Sequence, residues 1–142
     1  MPPLINPWKS YRQTATLTAP PGQVVMMLFD GAVRFLDSGL DGFGEADPGL
    51  SNMAIHNNLE RAREIIRQLN LALDTERGGD LACELRRLYD YFDRRLLESN
   101  VKKKPQAAQE VRRHLAQLRD AWSTMLKAGG EAQPVMAELA AV

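Results

Sequence analysis

The chain has 142 residues, the length of one domain that can bury a core without help from disulfides or metal. Its 18 basic and 18 acidic side chains cancel, which argues against general binding to nucleic acid or to an acidic membrane surface. Cys83 is the only cysteine and therefore excludes an intrachain disulfide, and the lack of an apolar leader or a membrane-length apolar run predicts a cytoplasmic protein.

The first 20 residues are predicted to form an arm rather than a helix. Prolines at positions 2, 3 and 7 discourage helix there. The arm nevertheless carries apolar side chains, including Trp8, Tyr11 and Leu17, which are unusual in a purely solvated tail. We therefore expect the arm to lie on the domain.

The sequence predicts that residues 21–43 form the central helix of the domain. On a helix, the apolar side chains of this segment fill an arc of roughly 200°. An arc of about 100° is enough to pack against one neighbour. This helix is therefore expected to contact two or three other elements at once.

Three further helices are predicted from apolar side chains that repeat every three or four positions. The second begins near Ser51, the third begins with Asp80 as its N-cap and ends at Asn100, and the fourth ends before Gly129. We call the row of apolar side chains on the predicted buried face of each helix its seam. The seam of the second helix is Ile55, Leu59, Ala62, Ile66, Leu69 and Leu73, and that of the third is Leu81, Leu85, Leu88, Phe92 and Leu96. The seam of the fourth helix is Ala108, Val111, Leu115, Leu118, Trp122 and Met125.

Four such helices joined by short loops predict an all-α protein, an antiparallel four-helix bundle. No stretch alternates with period two, so no sheet is expected. The predicted organisation is an N-terminal arm at 1–20, the bundle at 21–128, and a tail or short fifth helix at 129–142.

The sequence contains few signals of catalytic or cofactor chemistry. A di-iron site in a bundle needs repeated Glu-x-x-His motifs, whereas His114 follows Glu110 by four residues in a single copy. The glycines near position 42 follow a helix rather than a strand, so they do not form a phosphate loop. We therefore expect no enzyme activity, cofactor or metal.

One signalling alternative stays open, because histidine phosphotransfer domains are also small four-helix bundles with an exposed histidine on the second helix. His56 lies near the start of the predicted second helix. Such domains usually place a lysine and a glycine just after the histidine. Asn57, Asn58 and Leu59 follow here instead, which weighs against phosphotransfer.

Several apolar side chains fall outside the predicted core. Leu97 and Leu71 lie opposite the seams of their helices, and Met27 falls in the polar sector of the first helix. Ile65 and Tyr91 lie on the shoulders of their seams. Together they predict a surface that receives an apolar partner.

Six tracts, in order, resemble the flagellar secretion chaperone family FliS. The first comprises Tyr11, Pro21-Gly22-Gln23 and the run from Met27 to Leu36. The others are Arg61-Ala62 with Ile65-Ile66, Leu73-Asp74 with Gly78-Gly79-Asp80, Leu88-Tyr89-Asp90-Tyr91, Arg94-Arg95-Leu96 with Glu98-Ser99-Asn100, and Leu118-Arg119-Asp120-Ala121-Trp122. Pro20 departs from the capping serine common in that family.

The resemblance implies a cytoplasmic export chaperone that binds the C-terminal segment of flagellin. It would prevent premature filament polymerisation and deliver flagellin to the flagellar type III export gate, with other flagellar regulators as further expected partners. In the family, the arm near the position of Tyr11 is thought to cover the binding surface when no client is bound. A helical adaptor without a flagellar role is the remaining alternative. The expected partner-binding residues are Tyr11, Met27, Ile65, Leu71, Tyr91 and Leu97.

Overall fold

The computed structural model describes residues 21–128, which form four α-helices. The arm, Tyr11, and the predicted tail or fifth helix lie outside the described residues. The helices are α1 at Pro21–Gly42, α2 at Pro48–Leu71, α3 at Thr75–Lys102 and α4 at Gln106–Lys127. Among residues 21–128 there is no β-strand, which confirms the all-α prediction.

Capping side chains explain why two helices begin earlier than predicted. Asp47 accepts a hydrogen bond at 3.1 Å from the backbone N–H of Leu50, and Pro48 occupies the first turn, so α2 begins one turn before Ser51. Asp74 accepts from the backbone N–H groups of Glu76 and Arg77, which places the start of α3 before Asp80. The helix thus begins before Asp80, but the uninterrupted part of α3 begins only after Gly79, at the predicted position, because the backbone angles of Gly79 are not helical.

The predicted break at the glycine pair appears as a kink inside α3. Gly79 has φ 53° and ψ −129°, a conformation that a residue with a side chain rarely adopts. At the other end, Lys103 takes the left-handed conformation and its N–H bonds to the carbonyl of Ser99. The helix therefore continues two residues past the predicted end at Asn100.

Each helix packs against two others around a shared core, α1 and α3 each contacting α2 and α4. Polar contacts show that neighbouring helices run antiparallel. Across α1 and α4, Arg112 donates to Asp37 at 2.8 Å, and the indole N–H of Trp122 donates to the carbonyl of Gly22 at 2.9 Å. The antiparallel four-helix bundle predicted from the apolar repeats is confirmed.

The α1 helix has the two packing partners that its wide apolar arc predicts. Phe29 and Leu36, on this arc, are fully buried. At its C-terminal end, a Cβ on Gly42 would come within 3.0 Å of the Cβ of Ala54 and 3.2 Å of the backbone nitrogen of Ile55. The missing side chain therefore lets α1 and α2 approach closely. None of the helices between residues 21 and 128 is long and apolar enough to cross a membrane.

Candidate functional site

The surface of interest is the groove on the outside of the bundle between α2 and α3, which we call the outer groove. Three pairs of polar side chains form contacts across the groove: His56 with Asn100, Arg63 with Asp93, and Asn70 with Asp90. Residue numbers rise along α2 as they fall along α3, because the two helices are antiparallel. The donor–acceptor distances of the three pairs are 2.9–3.0 Å. These pairs set the register of the two helices, so the level of every other side chain along the groove follows from them.

Three large apolar side chains are exposed at one end of the outer groove. We call this group the end patch: Met53 at 61 %, Leu97 at 43 % and Val101 at 73 % exposure. Leu50 is also exposed, but it lies about 40° around α2 from Ala54, which packs against Gly42, and so belongs to the α1 side of the helix. Met53 lies one turn before His56, and Leu97 and Val101 lie on the outward side of Asn100. A contiguous exposed apolar group of this kind is typical of a binding surface.

Among residues 21–128, the opposite end of the outer groove carries a single large exposed apolar side chain. Leu71, at the end of α2, is 77 % exposed. It lies about 27 Å from Met53 along the helix at 1.5 Å per residue. The outer groove therefore has exposed apolar side chains at both ends, and a long peptide segment is needed to span the distance between them.

Between these ends the outer groove is polar and held by ion pairs. Arg63 donates to Asp93 at 2.9 Å and to Glu60 at 2.7 Å, and its side chain is only 12 % exposed. The hydrogen bond to Asp93 raises the pKa of Arg63 above its ordinary value. Arg67 contacts Glu64 and Asp93 in turn. This bridged middle joins α2 to α3 and separates the two apolar ends.

The predicted partner-binding residues divide between several places. Leu97 and Leu71 both lie on the outer groove, at opposite ends. Met27 is half-buried on α1, outside this groove. Tyr91 is half-buried between α3 and α4, where its hydroxyl donates to Glu110 at 2.7 Å and lowers the pKa of that carboxyl. The structure therefore places two of the predicted residues on the outer groove, at its two opposite ends, and does not bring the six together.

The prediction that Ile65 belongs to the exposed surface is wrong. Its side chain has 0 % exposure and is part of the core. The reason is that α2 packs against both α1 and α3, so its buried arc is wider than a single heptad seam. Ile65 and Ile66 are therefore both buried.

Sequence reasoning missed the exposed side chains Leu50, Met53 and Val101. The predicted second helix began at Ser51, so Leu50 was assigned to a loop. The predicted third helix ended at Asn100, so Val101 was assigned to the turn after it, whereas both residues are helical in the structure. The Asp47-Pro48 pair is an N-cap signal that places the start of α2 correctly. With that boundary, Leu50 and Met53 both lie on the helix, Met53 on the side of the outer groove and Leu50 toward α1.

Both histidines have contacts within the bundle. Nδ1 of His56 lies 3.0 Å from the amide nitrogen of Asn100, and His114 stacks on Phe92 with ring centroids 5.9 Å apart. Among residues 21–128, no group of three or more histidine, cysteine, aspartate or glutamate side chains is arranged to hold a metal ion.

A small cavity of about 140 Å³ lies where α3 turns into α4. Its charged lining is largely paired within the chain. Glu98 contacts Arg95 at 2.5 Å and Lys102 at 2.9 Å, and these cations lower the pKa of Glu98. This cavity is on the α3–α4 side and is not part of the outer groove.

Comparisons with known proteins agree with the resemblance. The sequence model of the family described as "Flagellar protein FliS" matches residues 4–129. The flagellar secretion chaperone FliS of Salmonella typhimurium is 39 % identical over 127 residues, covering 80 % of this chain and 85 % of the relative. The corresponding chaperone of Bacillus subtilis is 31 % identical over 122 residues, covering 86 % of this chain and 87 % of the relative. The chain belongs to the FliS family of flagellar secretion chaperones.

Proposed function

We propose that this protein is a cytoplasmic export chaperone that binds the C-terminal segment of flagellin and delivers it to the flagellar type III export apparatus. Bound in this way, the segment is kept from polymerising before export. Family membership supports the chaperone role, since the relatives are named flagellar secretion chaperones. The observation that carries the binding role is the exposed apolar end patch on an otherwise well-packed bundle.

The end patch and Leu71 are the proposed contacts for apolar side chains of the client. Full burial of such a side chain contributes roughly 1.5–3 kcal/mol, so covering what remains exposed of each contributes about 1 kcal/mol. Ordering the client on this surface costs it backbone entropy, which lowers the affinity per unit of buried area. Moderate affinity suits a chaperone that must release its client at the export apparatus.

The polar middle of the outer groove restricts how the client segment is placed on the surface. The ion pairs of Arg63 and Arg67 occupy the space between the apolar ends. A client side chain placed there must be polar, because an apolar one would leave these charged groups without water. The proposed client segment therefore has apolar residues at its two ends and polar residues between them.

Replacing Leu97 with aspartate should weaken flagellin binding by roughly 10- to 100-fold, about 1.4–2.8 kcal/mol. The new carboxylate would be desolvated by the client in the bound state, whereas in the free protein it remains in water. Isothermal titration with full-length flagellin, and with flagellin lacking its C-terminal segment, measures this change. The truncated flagellin should not bind.

The matched control is Gln117→Asp, which adds the same charge at an exposed position of α4, away from the outer groove. This variant should bind flagellin like the unmodified protein. Equal binding by Leu97→Asp would exclude the end patch as the client site. Failure of the unmodified protein to bind flagellin would overturn the proposed function itself.

The N-terminal arm is proposed to cover part of the client surface, including contacts of Tyr11, until flagellin binds. Apolar side chains in the arm support this, because they need a surface to pack on. Deleting residues 1–17 should then speed flagellin association, since no arm has to be displaced. Stopped-flow fluorescence with labelled flagellin measures the rate, and an unchanged association rate would contradict the lid role.

A further inference from the structure

The cavity between α3 and α4 is lined in part by backbone N–H groups without acceptors. Pro105 precedes α4 and offers its first turn no side-chain hydrogen bond. The first backbone hydrogen bond of this helix is donated by Gln109 to the carbonyl of Pro105, so the N–H groups at 106–108 have no acceptor within residues 21–128. Ala107, which lines the cavity, is only 6 % exposed. A buried N–H of this kind needs an acceptor from outside the chain.

One cation at this cavity has no counter-charge. Arg95 contacts Glu110 at 3.0 Å, and Lys102 contacts Glu98 at 2.9 Å. Lys104 also lines the cavity, but it forms no ion pair with any residue in 21–128. It lies directly before the start of α4, where the helix dipole is positive and disfavours a further cation. An anion in the cavity would accept from the unpaired N–H groups and would compensate Lys104 at the same time.

We propose that this cavity binds a carboxylate side chain from an acidic segment of a protein partner. Its volume of about 140 Å³ is similar to that of cavities of roughly 150 Å³ that bind benzene, so one carboxyl-bearing side chain has room in it. A single carboxylate also matches the single uncompensated cation. A phosphate group carries nearly twice that charge. Glu98, which lines the cavity and whose pKa is lowered by Lys102, stays ionised and would repel this excess.

Two further cations continue this surface along the α3–α4 side. Arg113 shares a face of α4 with Gln106 and lies about 10 Å from it along the helix. Arg94 lies about 12 Å from Lys102 along α3, in the same direction because the helices are antiparallel. Both arginines are exposed, and neither forms an ion pair with a residue in the four described helices. An extended segment spans about 10 Å in three residues, so we expect its acidic residues to be three or four positions apart.

The cavity lies apart from the outer groove, so the two surfaces can be occupied at once. A chaperone that holds flagellin on the outer groove would therefore still present this basic surface to an acidic partner. That consequence rests on the proposed function, whereas binding of a carboxylate by the free chain does not.

Nuclear magnetic resonance of the full chain, labelled with nitrogen-15, tests the site because it observes each backbone N–H. The probe is a serine- and glycine-based peptide with glutamate at every third position. We expect saturable shifts of the N–H signals of Gln106, Ala107 and Ala108, with a Kd of about 0.1–1 mM at low salt. The matched peptide with glutamine in place of glutamate should leave these signals unchanged.

Two results of this titration would contradict the proposal. The absence of shifts with the acidic peptide would overturn the site. Inorganic phosphate and a single-stranded oligonucleotide, added at the same ionic strength, test the other sources of anionic oxygen. Tighter binding of either one at the same three N–H groups would overturn the assignment to a carboxylate.

Replacing Lys104 with glutamate tests the site without loss of the fold. A glutamate before α4 interacts favourably with the helix dipole, so helical content and Tm should be retained. The new carboxylate repels the peptide and competes for the unpaired N–H groups, and affinity should fall at least tenfold. The matched control is Lys127→Glu, the same exchange at the far end of α4, which should bind the peptide normally. Unchanged affinity of Lys104→Glu would overturn the proposal.

Adding flagellin separates this inference from the proposed function. Isothermal titration of the acidic peptide into the chaperone–flagellin complex should give the same affinity as titration into the free chain. A loss of peptide binding in the complex would overturn the simultaneous occupation of the two surfaces. Should the peptide bind as expected and flagellin fail to bind at any concentration, the proposed function falls while the carboxylate site stands.

Discussion

Replacing Ile65 with aspartate should unfold the bundle, whereas the same replacement at Leu97 should leave it folded. Ile65 has 0 % exposure and Leu97 has 43 %. A carboxylate at position 65 would be placed in the core without a partner, at a cost of several kcal/mol. Domains of this kind are stable by only about 5–15 kcal/mol, so this cost takes most of the stability.

Urea denaturation followed by circular dichroism measures both variants. Ile65→Val is the matched control, since it removes one methyl group and should cost about 0.5–1.5 kcal/mol. Leu97→Asp should shift the midpoint little, because its carboxylate remains in water. A folded Ile65→Asp with nearly unchanged stability would show that this side chain lies on the surface, as the sequence pattern had suggested.

Replacing Phe92 with alanine should destabilise the bundle by about 3–5 kcal/mol, the cost of an emptied aromatic site in a core. Phe92 has 0 % exposure. Its ring centroid lies 6.5 Å from that of Tyr89, 6.4 Å from that of Tyr91 and 5.9 Å from that of His114. Loss of the ring leaves these three groups facing a cavity that the helices cannot easily close.

Thermal unfolding measures this effect, with an expected fall in Tm of roughly 15 °C for a domain of this size. Phe92→Leu is the control, because it keeps most of the apolar volume and should lose clearly less. At a temperature where Phe92→Ala is still folded, its affinity for flagellin should be nearly unchanged, since Phe92 does not reach the outer groove. A large stability loss by Phe92→Leu, equal to that of Phe92→Ala, would contradict the cavity explanation.

The helices were predictable because their apolar repeat has a physical origin that is local to each segment. Side chains three and four residues apart share one face of a helix, so the repeats containing Leu59, Phe92 and Leu115 show which faces are buried. The six family tracts were equally visible in the sequence. Helix ends were predicted less accurately, because Asp47, Asp74 and Lys103 decide them through one or two capping hydrogen bonds or one backbone conformation.

The candidate site was predicted only in part. Leu71 and Leu97 were identified because a residue opposite its own seam is exposed whichever neighbours the helix has. Ile65 was misplaced because a shoulder position is buried or exposed according to how many helices surround it. Met53 and Val101 form one patch only because His56 faces Asn100 across the outer groove.

The order of residues in this chain was thus enough to specify four amphipathic helices, their buried faces and the family, since each depends on spacing within one segment or on matching tracts. The outer groove, its apolar ends and its bridged polar middle depend on the register between α2 and α3. That register is decided by packing and by contacts such as Arg63 with Asp93, between residues far apart in the chain. Contacts of this kind exist only once the helices have come together, so the tertiary structure alone determines which exposed side chains form a single surface.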